Sequence, residues 1–509
     1  MLLALLATAP ADADVARAQI ELIEIEPDVA QSEVGAQLEA AQTLYRTQLA
    51  SGEREGALDQ AKLVVELASR IWGGESPEVA KALTNLAIAQ TESADFVAAQ
   101  QNFVAAIQVQ EAAGADIVGK ELINPLNGLA NASIALNDLE AAVPLFERSV
   151  HISHVTAGPN NLEQLDTLDS LSRTHYFLGD TRTANKIQDI IFRLQQRRYS
   201  ADSDQYLDAL KRRADWYTKI GNFTEAMFAY RRLERTIAKY HGRDDPRLIE
   251  PLVALAFVTP RQTQATPGFT PELALKEARR AVHRAVRIAR EQGAGDPSLL
   301  PATLVAEGDF LLFATATRTA RQSYLEAYNL TVNNPDLKSL HESLFAEPNA
   351  VVTQPIRSVY HINDSGTRSY PDRGFVELEY DLTVSGRPDN LRIVDSQPAG
   401  LMDAIVVRNV RRFVYRPTFV NGTPTRSYGV RYRHEFRYDD SRLSERERKY
   451  IERTERARAR LSERDGGEQP EPELPLEEPA DGEFVPDGTD SIDNEAIENE
   501  SSDDISVTS

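Results

Sequence analysis

A small residue returns along this chain at Ala57, Ala99, Ala142, Ala184 and Ala226, in steps of 42, 43, 42 and 42. Twelve positions before the last four stand Ala87, Ala130, Ser172 and Ala214, and sixteen before them Leu83, Leu126, Leu168 and Leu210. Gly52, Ala94, Asn137, Gly179 and Gly221 precede the five alanines by five positions. A period between 20 and 50 residues signals a repeat array, in which each unit buries its apolar face only against its neighbours. Leucine and alanine at i and i+4 share one face of a first helix. A Gly, Asn or Ala then turns the chain, with φ > 0 where the turn is tight. A second helix packs closely at the alanine, and Phe103, Phe146 and Tyr230, four positions later, fill the space between layers.

These offsets resemble the tetratricopeptide repeat, and the long period is similar to its kinesin-light-chain variety. Gly73-Gly-Glu-Ser-Pro77 ahead of Glu78 to Ala87 carries the likeness most closely. The repeats are expected over 36–258, with Tyr45 in place of a small residue in the first unit, as suits an end cap. A loop insertion from Thr259 to Pro271 and degenerate helical repeats continue to 337, with helical patterns over 271–292 and 299–332. The resemblance implies a concave face lined by first helices, where a peptide docks. Its inward positions fall on Lys81, Thr84, Asn124, Asn127 and Asn131 in the earlier units. In the later units they fall on Asp166, Asp169, Arg173, Tyr176, Asp208, Lys211 and Asp215. The leucines, alanines and glycines of the motif are structural.

A linker and lead-in strand occupy 338–373, after which the pattern changes to period 2. Phe375, Glu377, Glu379 and Asp381 alternate with Val376, Leu378, Tyr380, Leu382 and Val384, as in a half-buried strand. Ser385 to Pro388 turns the chain, Leu391 to Val394 is a second strand, and Leu401 to Arg412 reads as a helix. After a turn at Asn421-Gly-Thr-Pro424, Tyr428 to Tyr438 alternates again. This order over 374–440 resembles the TonB C-terminal domain. The matching residues are Gly374-Phe-Val376, Val384 to Gly386, Val394 with Ser396, Leu401-Met-Asp-Ala404, the run Val410 to Pro417 with Phe413, Tyr415 and Pro417, and Asn421-Gly422 with Pro424. The resemblance implies that a partner strand adds beside the last strand, at Tyr428, Val430, Arg431, Arg433, Glu435 and Arg437. A TonB protein is normally tethered by a membrane helix and a proline-rich spacer. A long solenoid stands here instead, so the likeness implies partner binding and leaves energy transduction in doubt.

The first ten residues are too short to span a bilayer, which takes about 20 apolar residues. They read as the apolar part of a secretory signal over 1–13, with small residues at Ala11 and Ala13 for cleavage. A basic stretch is then expected upstream, with a mature N-terminus near Asp14. Residues 441–465 are crowded with Arg and Glu and read as a solvated helix held by i,i+4 pairs. Of the net charge of −22, residues 466–509 supply −15, leaving about −7 for the rest. That tail reads as disordered, and the remainder does not suit nucleic acid. Without cysteine there is no disulfide or thiolate site. No phosphate loop, HExxH or nucleophile elbow occurs, and no cofactor or metal is expected.

The expected fold is mainly α: a tetratricopeptide-like solenoid, a small α+β domain and an acidic tail. The expected function is an exported, non-enzymatic scaffold, periplasmic in a Gram-negative bacterium. Its partners are proteins or peptides, including an outer-membrane TonB-dependent receptor, with no membrane segment after signal cleavage. The alternatives are a cytoplasmic repeat adaptor without a transport role, and a hydrolase with an unrecognised site.

Overall fold

All five expected turn positions are left-handed: Gly52 (φ 80°), Ala94 (61°), Asn137 (67°), Gly179 (84°) and Gly221 (74°). In the last four of these turns the next residue caps the second helix. Asp95, Asp138, Asp180 and Asn222 each accept the N–H three positions on, at 3.0–3.3 Å. Turn and cap together satisfy backbone groups that a helix end would otherwise leave unpaired. The structure, a computed structural model, describes residue 23, residues 32–261 except 115, 270–353 except 293 and 294, 356, and 372–464. The expected signal over 1–13 and the tail over 466–509 lie outside the described residues.

Seven helical hairpins follow from this design among the described residues. They are α1 (Glu33–Ser51) with α2 (Arg54–Trp72), α3 (Pro77–Glu92) with α4 (Phe96–Ala112), and α5 (Ile123–Ala135) with α6 (Leu139–Ala157). Then come α7 (Leu165–Phe177) with α8 (Thr181–Arg198) and α9 (Asp204–Lys219) with α10 (Phe223–Tyr240). The last two are α11 (Ile249–Val258) with α12 (Pro271–Gln292) and α13 (Leu299–Phe313) with α14 (Thr317–Thr331). The five motif alanines are fully buried. First helices of successive hairpins touch one another, α3 with α5 and α11 with α13, as on the inner side of a superhelix. Together the hairpins form a tetratricopeptide-like solenoid. Tyr45 is buried, and its hydroxyl donates to the Asn85 carbonyl at 3.0 Å, tying the first hairpin to the second.

The helical pattern over 299–332 is not one helix. Thr315 (φ 60°) breaks it five positions before buried Ala320, repeating the turn of the first five hairpins. Ala278 is likewise buried, and 320 − 278 gives 42, so the register survives the insertion. A β-branched residue is a poor occupant of the left-handed region. Thr315 is exposed, so Thr315→Gly is expected to raise stability by about 1 kcal/mol, read as a higher denaturant midpoint. An unchanged or lower midpoint would show that the turn is not strained.

The expected linker from 338 contains α15 (Lys338–Phe345) and β1 (Ala350–Val352). The α+β module follows with β2 (Asp372–Leu382), β3 (Pro388–Gln397), α16 (Asp403–Val410), β4 (Val414–Tyr415), β5 (Thr418–Val420), β6 (Thr423–Thr425) and β7 (Ser427–Tyr438). Its antiparallel sheet has the order β3-β2-β7. Val376, Leu378, Tyr380 and Leu382 turn inward against Met402, Val406 and Val410. Two expectations change here. Val384 is exposed beyond the strand end, and Ile405 points outward while Asp403 starts the helix and is buried. The helix is short because Leu401 and Met402 belong to the bend that enters it.

The module is seated on the solenoid's last hairpin. β1 pairs with β4, and Val351, Val414 and Phe419 join the same apolar core as Phe310, Tyr324 and Tyr328. At its centre Arg416, 3% exposed, meets Asp309, fully buried, through Nε at 3.1 Å and Nη2 at 2.8 Å. Arg416 Nη1 also donates to the Leu344 carbonyl at 2.6 Å, and the Tyr324 hydroxyl donates to Asp309 at 2.7 Å. Burial works against the Arg416 charge, yet Asp309 outweighs it and the pKa stands above the usual value.

The final helix, α17 (Glu445–Arg464), is not merely solvated. It carries the expected pairs Glu445–Lys449 and Glu452–Arg456. Its other face lies on the module: Ile451 packs on the core, and Tyr450 covers Gly400. Arg458 donates to the Ser396 carbonyl and to Asp403, each at 3.1 Å. Asp403 is buried, which pushes its carboxyl above the usual range despite the nearby Ser396 hydroxyl and the charge of Arg458.

Candidate functional site

The expected binding residues lie on two surfaces: the inner face of the first helices and the sheet strand β7. On the inner face the twelve expected positions divide by depth. Asp166, Asp169 and Asp208 are exposed. Lys81, Asn124, Asn127, Arg173, Tyr176, Lys211 and Asp215 are half-buried. Thr84 and Asn131 lie in the packed interior, at 2% and 5% exposure, because consecutive first helices close over them. Thr84 turns its hydroxyl back to the Ala80 carbonyl at 2.9 Å, so it has no lone donor to offer a ligand. Asn127 bonds the Thr167 hydroxyl of the next hairpin at 2.9 Å.

The later units are electrostatically richer. Lys211 bridges Asp215 at 2.9 Å and Glu250 of the following first helix at 3.0 Å. Burial opposes the Lys211 charge, but the two carboxylates more than offset it and hold its pKa above the usual value. The Tyr230 hydroxyl also donates to Asp215. This network links hairpins and is mainly structural. Arg173 and Lys219 differ in character. Burial and the neighbouring Arg173 charge both hold the Lys219 ammonium below its usual range, only partly offset by Asp169. Beside them Tyr176 lies 5.7 Å from Phe177 and from Trp216, and Lys219 stands 5.9 Å over the Phe177 ring. Phe177 is 43% exposed. Two close cations next to an exposed ring can receive a carboxylate and an apolar side chain together. Lys219 and Phe177 escape a reading from family positions alone, but each is a charged or aromatic residue at the end of a first helix, next to the turn glycines.

On the sheet, β7 pairs only with β2 among the described residues, so it is an edge. Its alternation is as the sequence reads: Arg431, Arg433 and Glu435 are exposed, while His434 and Phe436 are buried. Val430 and Tyr432 are half-buried, as are Arg437 and Tyr438, and Tyr428 is 72% exposed. The arginines are engaged within their own sheet. Arg431 reaches Glu379 at 3.3 Å and Glu377 at 3.6 Å, and Arg433 reaches Glu377 at 3.6 Å and Glu435 at 3.5 Å. Arg433 also lies 3.8 Å over the Phe375 ring. Arg392, and behind it Arg431, hold the Glu379 carboxyl below its usual range. The face is therefore a ladder of alternating charge. Any strand added at this edge meets paired charges, and its selection rests on backbone pairing and the ends of the strand.

Among the described residues no group of three His, Cys, Asp or Glu could hold a metal, and no helix is long and apolar enough to cross a membrane.

No family model and no curated protein matches the sequence. Several solved structures do. A Podosopora anserina protein described as a kinesin light chain, with nearly identical TPR-like repeats, shares 19% identity. The match covers 40% of this chain and 97% of that one, with a TM-score of 0.37. BtubC (BKLC) from P. vanneervenii shares 16%, covering 52% of this chain and 94% of that one, with a TM-score of 0.35. The C-terminal part of a TPR repeat-containing protein from Cytophaga hutchinsonii shares 10%, covering 59% and 98%, with a TM-score of 0.36.

Proposed function

We propose that this chain is an exported protein-interaction scaffold that works in the periplasm of a Gram-negative bacterium. Its solenoid takes an extended peptide along the inner face, centred on Arg173, Tyr176, Phe177 and Lys219. Its α+β module, which resembles the TonB C-terminal domain, takes a strand of an outer-membrane transport or envelope partner beside β7. The observation that carries this reading is that Ser427–Tyr438 pairs with no strand but β2 among the described residues, so that its other edge offers backbone N–H and C=O groups as a template for another chain. The reading is non-catalytic. It also differs from a motorised TonB arm, because the module is fixed to the last hairpin by Arg416 and Asp309 and presents its edge from a rigid mount.

The test is hydrogen exchange on the full chain with TonB-box-like receptor peptides. Slowed exchange across Ser427–Tyr438 is expected. Slowing confined to Asp403–Val410, with β7 unchanged, would refute strand addition. Export is tested separately by the mature N-terminus: a start near Asp14 in a periplasmic fraction supports it, and intact Met1 in the cytosol would end it.

A further inference from the structure

The second helices change charge along the solenoid. α2 carries three basic and three acidic residues, α4 has Glu111 as its only charge, and α6 has Arg148 against Glu140 and Glu147. From the fourth hairpin the balance reverses. α8 has five basic residues against Asp189, α10 four against two, and α12 six against three. One register position shows the shift plainly. Nine residues after the motif alanine the chain reads Glu66, Gln108 and His151, then Arg193, Arg235 and Arg287. Arg193 and Arg235 are exposed and have no carboxylate partner among the described residues, whereas Arg287 pairs with Asp244 and Glu291. Between α10 and α12 two adjoining grooves of about 260 and 470 Å³ meet at the Arg284–Glu234 pair, and exposed Arg280 lines the first, where Glu277 is taken by Arg231.

A row of uncompensated cations repels itself and attracts a polyanion. The same chain supplies one. Residues 466–509 hold fifteen Asp and Glu and no Lys or Arg. We propose that this acidic C-terminal segment lies against the basic outer ridge formed by α8, α10 and α12. α17 ends at Arg464 on the module, and the module sits on the seventh hairpin, next to the ridge. The 509 − 464 = 45 residues beyond it reach about 150 Å when extended, ample for the three hairpins involved. Tethering makes the encounter intramolecular, at an effective concentration on the order of millimolar. Many exposed pairs, each weak, then add to an association that salt dissolves. The segment keeps the ridge neutral until a stronger polyanion displaces it.

Zero-length carbodiimide coupling of the full chain, followed by peptide mass spectrometry, tests the contact directly. Bonds from carboxylates of 466–509 to Lys186, Lys239 or Lys276 are expected, undiminished on dilution. Bonds mainly to Lys62 or Lys120 of the early hairpins, or none to the ridge, overturn the proposal. A chain ending at Arg464 should also bind a synthetic 466–509 peptide. The combined change Arg182→Glu, Arg193→Glu, Arg235→Glu and Lys276→Glu should weaken that binding about tenfold or more, and equal binding overturns the assignment. A DNA duplex and phosphatidylserine vesicles complete the test. If only the shortened chain binds them, the tail shields the ridge as proposed; if the full chain binds either equally well, the ridge serves that ligand instead and the proposal fails.

Discussion

Replacing Arg416 by alanine is expected to cost about 3–5 kcal/mol and to loosen the module from the solenoid. The size follows from what remains. Asp309 is fully buried, and without the guanidinium its carboxylate keeps only the Tyr324 hydroxyl. A buried charge that loses its partner is far more costly than the pair was favourable. The pair itself contributes little net stability, so Arg416→Met combined with Asp309→Leu should recover most of the loss. Denaturant unfolding of the single and double variants measures both effects. Hydrogen exchange at Ala350–Val352 and Val414–Tyr415 reports whether the β1–β4 pairing opens. A single variant as stable as the parent would mean that module and solenoid are not joined there.

The second large effect is expected at Gly386, in the turn between β2 and β3. Its φ is 75°, and a methyl group there would stand 1.9 Å from the Tyr415 carbonyl oxygen. That oxygen belongs to a backbone held in place, since Tyr415 donates its N–H to the Gly386 carbonyl at 2.7 Å. Gly386→Ala therefore combines a left-handed alanine with a clash that no side chain can relieve, and about 3 kcal/mol or more should be lost. Gly429→Ala separates the two contributions. Gly429 has φ 67°, but the nearest atom to its added methyl is 3.9 Å away. It should lose only the conformational part, about 1–2 kcal/mol. Equal losses at the two sites would show that the turn yields.

The solenoid is legible in the sequence because each hairpin is specified locally. The alanine that admits a neighbouring helix, the left-handed turn residue and the cap beside it all fall within six positions. The insertion before α12 hides the continuation: Ala278 follows Ala226 by 52 residues, and only from there does Ala320 resume the step of 42. The seat of the module is not legible in the same way. Asp309 and Arg416 are 107 residues apart; Asp309 repeats the register position of Asp215, each bonded to the tyrosine fifteen residues on, but Arg416 belongs to no repeat. A lone aspartate in an apolar helix reads as a surface position until its partner is located. The depth of Thr84 and Asn131 is likewise set by how tightly successive first helices close, which composition does not encode. On the sheet, alternation identifies the arginine face of β7, while the glutamates that pair with it come from β2 and depend on register.

The join between solenoid and module also sets an order in time. A ribosome that adds roughly 5–20 residues per second finishes Asp309 about 5 to 20 seconds before it reaches Arg416, 107 residues later. Throughout that interval the earlier hairpins need nothing from the module, while the seventh holds a carboxylate that has only the Tyr324 hydroxyl for a partner. Its apolar wall, Phe310, Tyr324 and Tyr328, waits for Val351, Val414 and Phe419. A chain released before Arg416 thus carries an unsealed end that a protease or chaperone can recognise, and synthesis of the module is what closes the fold.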